Sequence, residues 1–376
     1  MNPDLVSRIR GCVLGAALGD AIGGPFEFGP LDRVPALTGG TWIDGIYPYL
    51  DTTAPHNVWP YPPPDGGLPP AGTGTDDVRL HWVFLKLAIE LRRAPKPHDL
   101  AERYIEIYEN PNIVFPGHTL LTREQFFHWE AVCHGYLGQF SAAFPDLTPD
   151  LLLARSLGLN FPILSGLYAL TPAGLLYPGQ PVNAYKAAFR LAFFDIGYAR
   201  EATALLAAAL AIAVVEPVPP RELFDLLCTL DPLHLGGPFS PPFVQSHLHE
   251  YTQLIDAPVS DQDIALALSA AFADFHPMDP FRTLAIALLA VCASEGDPLR
   301  AMCIAANHIS EDEDTGETRY EDIDCYASIA GALAGALWGV EALPPDMVSQ
   351  VIESNRAVYG IDLDQTIDEF CKLIAQ

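Results

Sequence analysis

Apolar residues recur at helical spacing through most of the chain, and this pattern predicts an all-α fold. After Asp76, one apolar row occupies positions 78, 82, 85 and 89 and a second occupies 80, 84, 87 and 91, so we expect this helix to be mostly buried. Further helices are predicted at 5–18, 98–109, 122–137, 148–159, 183–194, 199–215, 220–229, 241–254, 261–273, 281–294, 298–308, 326–340, 345–359 and 363–375. No apolar run predicts more than a few residues of strand.

Two of the predicted helices carry small residues at every fourth position. These residues are Gly11, Gly15 and Gly19 in the first helix and Ala327, Gly331, Gly335 and Gly339 in a late one. Glycine inside a helix costs about 1 kcal/mol relative to alanine. We therefore predict that each row faces another backbone more closely than the usual spacing of roughly 8–10 Å, with the two rows as candidate partners. The first helix is expected to end near Gly19, in a loop that carries Asp20 and Glu27.

Residues 29–74 are rich in proline, which disfavours regular helix and sheet. Aromatic residues such as Trp42, Tyr49 and Tyr61 are interleaved with the prolines, and a disordered linker would contain few of them. We interpret this segment as a long ordered loop that covers a pocket. The sequence shows no internal repeat, and we expect one domain over residues 1–376.

Composition excludes several classes of partner. The chain has 376 residues, of which 20 are basic and 47 acidic, giving a net charge of −27. Nucleic acids and anionic membranes repel such a surface, whereas cations are attracted to it. The seven cysteines form no CxxC motif and lie mostly in apolar runs, which indicates reduced thiols and a cytoplasmic location. The sequence shows neither a signal-peptide pattern nor a convincing membrane span.

Pairs of acidic residues stand at the heads of two predicted apolar helices. One is Thr75-Asp76-Asp77, and the other is Asp322-Ile323-Asp324. A simple interpretation is that Thr75 caps its helix and the acids complement the helix dipole. If the two heads face each other, they form an oxygen-rich site suited to magnesium. The acidic stretch 311–317 lacks the ligand spacing of a calcium loop, so we expect a solvated loop there. Asp195 and His308 interrupt apolar surroundings, and each alone favours a hydrogen-bonded interior position.

Three blocks of the sequence resemble the ADP-ribosylglycohydrolase family. They are G-x-x-x-G-A-A-L-G-D-A-x-G-x-P-x-E from Gly11 to Glu27, Thr75-Asp76-Asp77, and Asp322-x-Asp324 followed by S-I-A-G-A-L-A-G-A. The resemblance implies an all-α fold with a central cleft for two magnesium ions. It implies these metal ligands: Thr75, Asp76, Asp77, Asp322, Asp324 and the position of Cys325. The family has threonine at that last position, and a thiol is a poor magnesium ligand, so one metal site is expected to be weakened.

The resemblance also implies a substrate and a reaction. The expected substrate is ADP-ribose or a related ribosyl group, on a protein or a small compound, contacted by Asp20, Glu27, Ser165, Gly166 and His308. The reaction is hydrolysis at the anomeric carbon of ribose, with Asp77 or Asp324 accepting a proton from water and Glu27 assisting. The sequence does not decide which carboxylate is the base. Two alternatives stay open: hydrolysis of a free nucleoside-like compound, and an ADP-ribose-binding protein without catalysis.

Overall fold

The computed structural model describes residues 2–50, 60–146, 148, 162–236, 242–255, 260–311 and 315–376. It is built almost entirely of helices, which confirms the all-α prediction. The predicted helix at 148–159 lies outside the described residues except for position 148, and the single-domain expectation stays a prediction. No helix in the described part of the chain combines the length and apolar character needed to cross a bilayer.

The α-helices of the described residues are α1 (Pro3–Gly23), α2 (Arg33–Thr38), α3 (Asp76–Leu91), α4 (Pro97–Glu109), α5 (Thr119–Tyr136), α6 (Phe140–Ala143), α7 (Ser165–Ala169), α8 (Pro181–Leu191), α9 (Ala199–Ala213), α10 (Pro220–Leu227), α11 (Phe243–Leu248), α12 (Asp261–Ala271), α13 (Pro280–Ala293), α14 (Pro298–Ala306), α15 (Ile323–Trp338), α16 (Pro345–Tyr359) and α17 (Leu363–Ile374). Short 3-10 turns occur at Pro111–Ile113, Thr171–Leu176, His249–Ile255 and Val340–Ala342. Most of the predicted helices are found within a few residues of their expected ends. The short α2, α6 and α7 were not predicted.

The two small-residue rows pack against each other, as predicted. A Cβ built on Gly15 would lie 2.2 Å from the carbonyl oxygen of Gly331, and one on Gly19 would lie 1.9 Å from that of Ala327. These contacts are with backbone atoms, which cannot move aside as a flexible side chain could. The glycine rows therefore fix the register of α1 against α15.

Helix α1 continues beyond the predicted end at residue 18, to Gly23. Glycine weakens an isolated helix, but here the close approach of α15 supplies packing that offsets its cost. A Cβ on Gly23 would lie 2.4 Å from the Cα atom of Asp324. Asp20 is consequently a buried helical residue rather than a loop residue, and the end of α1 lies directly against the head of α15.

A short antiparallel hairpin precedes α15. Strand β1 (Ile309–Glu311) pairs with β2 (Thr318–Tyr320), and the acidic stretch predicted as a solvated loop connects them, with residues 312–314 outside the described part. Phe28 donates a backbone hydrogen bond of 3.2 Å to the carbonyl of Glu321. Phe28 also has a positive φ of 47°, which is uncommon for a bulky residue. The hairpin thus brings Glu27 beside the acids that follow Glu321.

The described parts of the 29–74 segment are fastened to the helical body. Asn307 accepts a 3.0 Å hydrogen bond from the Ile43 amide and donates one of 3.0 Å to its carbonyl. At the other end, the side chain of Asn355 accepts from the Gly74 amide at 3.2 Å and donates to the Gly72 carbonyl at 3.0 Å. These bonds hold the turn that leads into Thr75, in agreement with the prediction of an ordered loop.

Candidate active site

Three helix ends meet at one group of acids: the end of α1, the head of α3 and the head of α15. Asp20 connects the first two, because its carboxylate accepts hydrogen bonds from the Thr75 amide at 2.9 Å and the Val78 amide at 3.0 Å. Burial and the charge of Asp324 raise the pKa of Asp20 to about 8, against the lowering effect of these amides. Asp20 therefore caps α3 from a neighbouring helix.

The interpretation of Thr75 as the capping side chain is wrong, because its hydroxyl makes no capping hydrogen bond. It donates instead to Oδ2 of Asp324 at 3.0 Å, across to the head of α15. Cys325 makes a second link, with its thiol donating to Oδ2 of Asp77 at 3.2 Å. The amide of Cys325 also donates to Oδ1 of Asp324 at 2.7 Å. The two helix heads therefore face each other through side chains that the sequence singled out.

Two overlapping sets of side chains are close enough to share a metal ion. In the set of Asp77, Asp324 and Cys325, one potential ligand atom from each residue lies within 4.8 Å of the others, and the same holds for Glu27, Asp322 and Asp324. Oδ1 of Asp77 is buried and has no hydrogen-bond partner among the described residues. A buried carboxylate oxygen without a partner carries a desolvation cost that a bound cation would remove.

The acids raise one another's pKa values. Burial is the main cause for Glu27, Asp77 and Asp322, whose pKa values lie well above the usual range, and the neighbouring carboxylates add to it. The pKa of Asp324 is also raised by burial, although hydrogen bonds from surrounding groups lower it. The charged groups that act most strongly on the pKa values of Glu27, Asp77 and Asp322 are other carboxylates. The cluster therefore holds more negative charge than its surroundings neutralise.

Arg79 is a buried cation near the head of α3 that the sequence patterns above did not single out. It lies one turn after Asp76 and partly offsets the burial that raises the Asp76 pKa to about 6. Its guanidinium stacks 3.8 Å from the ring centre of Tyr61 and donates to the Tyr359 hydroxyl at 3.1 Å. That hydroxyl donates in turn to the Gly74 carbonyl at 2.5 Å. Arg79 thus supports the turn before Thr75 through the Tyr359 hydroxyl. The sequence feature that could have indicated this role is an arginine in the first turn of a mostly apolar helix.

The Ser165–Gly166 segment begins helix α7, beside the acids. Gly166 donates its amide to Oδ2 of Asp195 at 2.9 Å, and a Cβ there would collide with the same oxygen. Tyr168 follows one turn on, and its pKa is raised well above the usual range by burial and by the charges of the acid cluster. Tyr168 therefore lies within electrostatic reach of the cluster, and no sequence pattern indicated this. Ser165 is half-buried and stays a predicted substrate contact.

His308 belongs to a second buried polar group, behind Asp322. Its Nδ1 lies 3.0 Å from the Ser269 hydroxyl, and burial lowers its pKa to about 3. In the same region Arg282 forms a fully buried ion pair with Glu321, whose other oxygen accepts a 3.0 Å hydrogen bond from Tyr326. This group anchors the segment that delivers Asp322. The substrate role of His308 stays a prediction.

The donor atoms fit a divalent metal, with one exception. Carboxylate oxygens from Asp76, Asp77, Asp322 and Asp324, with the Thr75 hydroxyl, are ligands that magnesium accepts. The orphaned Asp77 oxygen agrees with this fit. The Cys325 thiol, which contacts Asp77, does not suit a hard cation.

Comparison with known proteins gives one family. The model of a family described as ADP-ribosylglycohydrolase matches residues 1–376. A solved structure described as an ADP-ribosylglycohydrolase-related protein complex superposes with a TM-score of 0.60 at 21% sequence identity, covering 99% of this chain and 98% of that one. At this identity the likeness concerns the fold alone. No curated protein matches the chain.

Proposed function

The chain belongs to the ADP-ribosylglycohydrolase family, whose members are hydrolases that cleave glycosidic bonds, and we propose that it is a magnesium-dependent hydrolase of an N- or O-glycosidic bond to ribose. The substrate is an ADP-ribosylated protein or a small ADP-ribosyl compound. The observation that carries this proposal is the meeting of Glu27, Asp77, Asp322 and Asp324, whose pKa values are raised by burial and, for Glu27, Asp77 and Asp322, by the charges of neighbouring acids. Such an arrangement is unfavourable unless a cation binds there.

Thr75, Asp76, Asp77, Asp322 and Asp324 are the residues that would hold the metal. When bound, it supplies positive charge that orients the hydroxyls of the ribose and a water molecule. Asp20 keeps the Thr75 turn in place through its two amide contacts, and Arg79 supports it from the other side. Both residues position the metal ligands, and a direct contact of Asp20 with the substrate stays a prediction.

Hydrolysis breaks the bond from the anomeric carbon to the leaving nitrogen or oxygen and adds the oxygen of water to that carbon. One proton leaves the water, and one reaches the leaving group. Asp77 or Asp324 accepts the first, because both are carboxylates within the cluster. Glu27 is partly exposed, whereas the others are buried, and its pKa is raised mainly by burial. It is therefore the acid best placed to meet the substrate and to donate a proton.

A smaller ribosyl compound, such as a nucleoside, is a second candidate substrate. Tyr49, from the fastened 29–74 segment, is buried with its hydroxyl on the Thr73 carbonyl at 3.1 Å. A Cβ on Gly24 would lie 2.3 Å from this hydroxyl. The segment therefore packs tightly beside the acid cluster, and this favours a substrate that needs little room at that side.

Turnover of a small panel tests these proposals. ADP-ribosyl-arginine, ADP-ribosyl-serine, O-acetyl-ADP-ribose and nucleosides would be incubated with the protein, with and without magnesium. We expect magnesium-dependent release of ADP-ribose, lost in Glu27→Gln and Asp324→Asn. The matched control is Asp346→Asn, which makes the same change at the exposed head of α16. Tight ADP-ribose binding without turnover of any compound would indicate a binding protein without catalysis.

A further inference from the structure

Cys325 occupies a position where its sulfur can act as a metal ligand. It is the residue after Asp324, and only 5% of its surface is exposed. The thiol lies 3.2 Å from Oδ2 of Asp77, and the amide of the same residue holds Oδ1 of Asp324. One potential ligand atom from each of Cys325, Asp77 and Asp324 lies within 4.8 Å of the other two. The sulfur is thus a member of the acid cluster rather than a neighbour of it.

An independent observation indicates that this group takes a ligand. Asp77 is fully buried, and its Oδ1 has no hydrogen-bond partner in the part of the chain that the structure describes. The thiol contact uses Oδ2 and leaves Oδ1 unsatisfied. Buried polar atoms are nearly always paired, so an exception next to two other ligand atoms points to a missing cation.

The donor set decides which cation fits. Zinc and cobalt accept a thiolate together with carboxylates, whereas magnesium and calcium select oxygen alone. The second set, Glu27, Asp322 and Asp324, contains only oxygen donors. The two halves of the cluster therefore differ in chemistry while sharing Asp324.

We propose that Asp77, Asp324 and Cys325 form a thiolate-containing half-site for a borderline divalent ion of the zinc class, beside an oxygen-only half-site for a hard ion. The inference rests on the proposed metal centre, which it makes chemically mixed. Binding replaces the thiol proton by the metal: the proton leaves Sγ for the solvent, and the sulfur electron pair is donated to the ion. Asp77 then turns from hydrogen-bond acceptor to ligand.

Cobalt(II) tests the half-site without any substrate, because a cobalt–thiolate bond gives an intense charge-transfer absorption in the near ultraviolet. The full-length protein would be freed of metal with a chelator and titrated with cobalt, then with zinc as competitor. We expect the absorption in wild type, its loss in Cys325→Ser, and its retention in Cys228→Ser, which removes a partly exposed cysteine directly after α10. Zinc affinity should fall by roughly 10–100-fold or more in Cys325→Ser, while magnesium affinity should be kept or raised in Cys325→Thr.

A wild type without the charge-transfer absorption, or a Cys325→Ser variant that keeps it, would overturn the inference. If Cys325→Ser does not fold, X-ray absorption of the zinc-loaded Cys228→Ser protein decides instead, since a sulfur ligand lies about 2.3 Å from zinc. An oxygen-only shell there would equally overturn it. The two proposals can fail separately. Magnesium-dependent turnover without a cobalt–sulfur absorption would support the proposed function and reject the thiolate half-site. The absorption without turnover of any compound would support the half-site and reject the proposed function.

Discussion

Glu321 and Asp322 are consecutive residues, yet their carboxylates have opposite electrostatic surroundings. Glu321 pairs with the guanidinium of Arg282 and accepts from Tyr326, so its negative charge is neutralised inside the protein. Asp322 faces Asp324 and other acids, and both burial and their charges raise its pKa. The charge of the Glu321 carboxylate is therefore balanced by a cation, whereas the Asp322 carboxylate belongs to a cluster of like charges.

The difference shows where the fold accepts an unfavourable arrangement. A paired acid can serve the architecture, and here it anchors the segment ahead of α15. A cluster of like charges costs stability, and such clusters are typical of functional sites because a ligand relieves them. Asp195 shows a third solution, since burial raises its pKa to about 8 although the Gly166 amide and the charge of Arg200 lower it.

The largest expected effect on stability comes from breaking the ion pair between Arg282 and Glu321. Arg282→Met would leave Glu321 buried without its cation and should lower the free energy of unfolding by about 3–5 kcal/mol. Replacing Glu321 with Gln in the same protein should recover part of that loss. The control is Arg190→Met on the exposed surface, expected within about 0.5 kcal/mol of wild type. Urea denaturation measures all three variants, and equal losses for the Arg282 and Arg190 variants would contradict the pairing.

A shift of α1 away from α15 should weaken cation binding by the acid cluster. Gly19→Ala places a methyl group 1.9 Å from the Ala327 carbonyl oxygen and should push α1, with Asp20 and Glu27, away from α15. We expect a loss of about 1–3 kcal/mol or more in stability, together with weaker cation binding measured by calorimetry. Gly40→Ala is the control, because its nearest neighbour would be 3.7 Å away. Unchanged cation binding in a destabilised Gly19 variant would show that the register does not matter to the site.

The last expected effect changes with pH and concerns Asp195. Its pKa is about 8 in the folded protein against an ordinary 3.8, so between these values the folded state holds one more proton than the unfolded state. Its contribution to stability is thus present below about pH 4 and is lost as the pH rises to about 8. As the pH rises through this window, the free energy of unfolding of Asp195→Asn should increase relative to that of wild type by up to about 1.4 kcal/mol per pH unit. Thermal or urea unfolding from pH 5 to 8 measures the difference, with the exposed Asp274→Asn as control. A difference that does not change with pH would contradict a protonated Asp195.

Sequence reasoning identified the acids and the glycine rows because both are local patterns. Two acids at a helix head and small residues four apart can be read directly, and their meeting followed from the family resemblance. The partners of buried charges were not predictable in this way, because Arg282 and Glu321 lie far apart in sequence and helical periodicity indicates a face but not its partner. The capping by Asp20 was missed for the same reason, and also because glycine was taken to end α1.

The claim that the acid cluster is a cation site is tested most directly by a stability cycle. The free energy of unfolding would be measured for wild type and Asp324→Asn, each with a chelator and each with magnesium or zinc. With the chelator, Asp324→Asn should cost little or stabilise the protein, because it removes one of several like charges. With the cation at about a hundred times its dissociation constant, wild type should gain about 2.7 kcal/mol and the variant much less, so their order reverses. A wild type that neither cation stabilises, or a variant equally destabilised under both conditions, would contradict the claim.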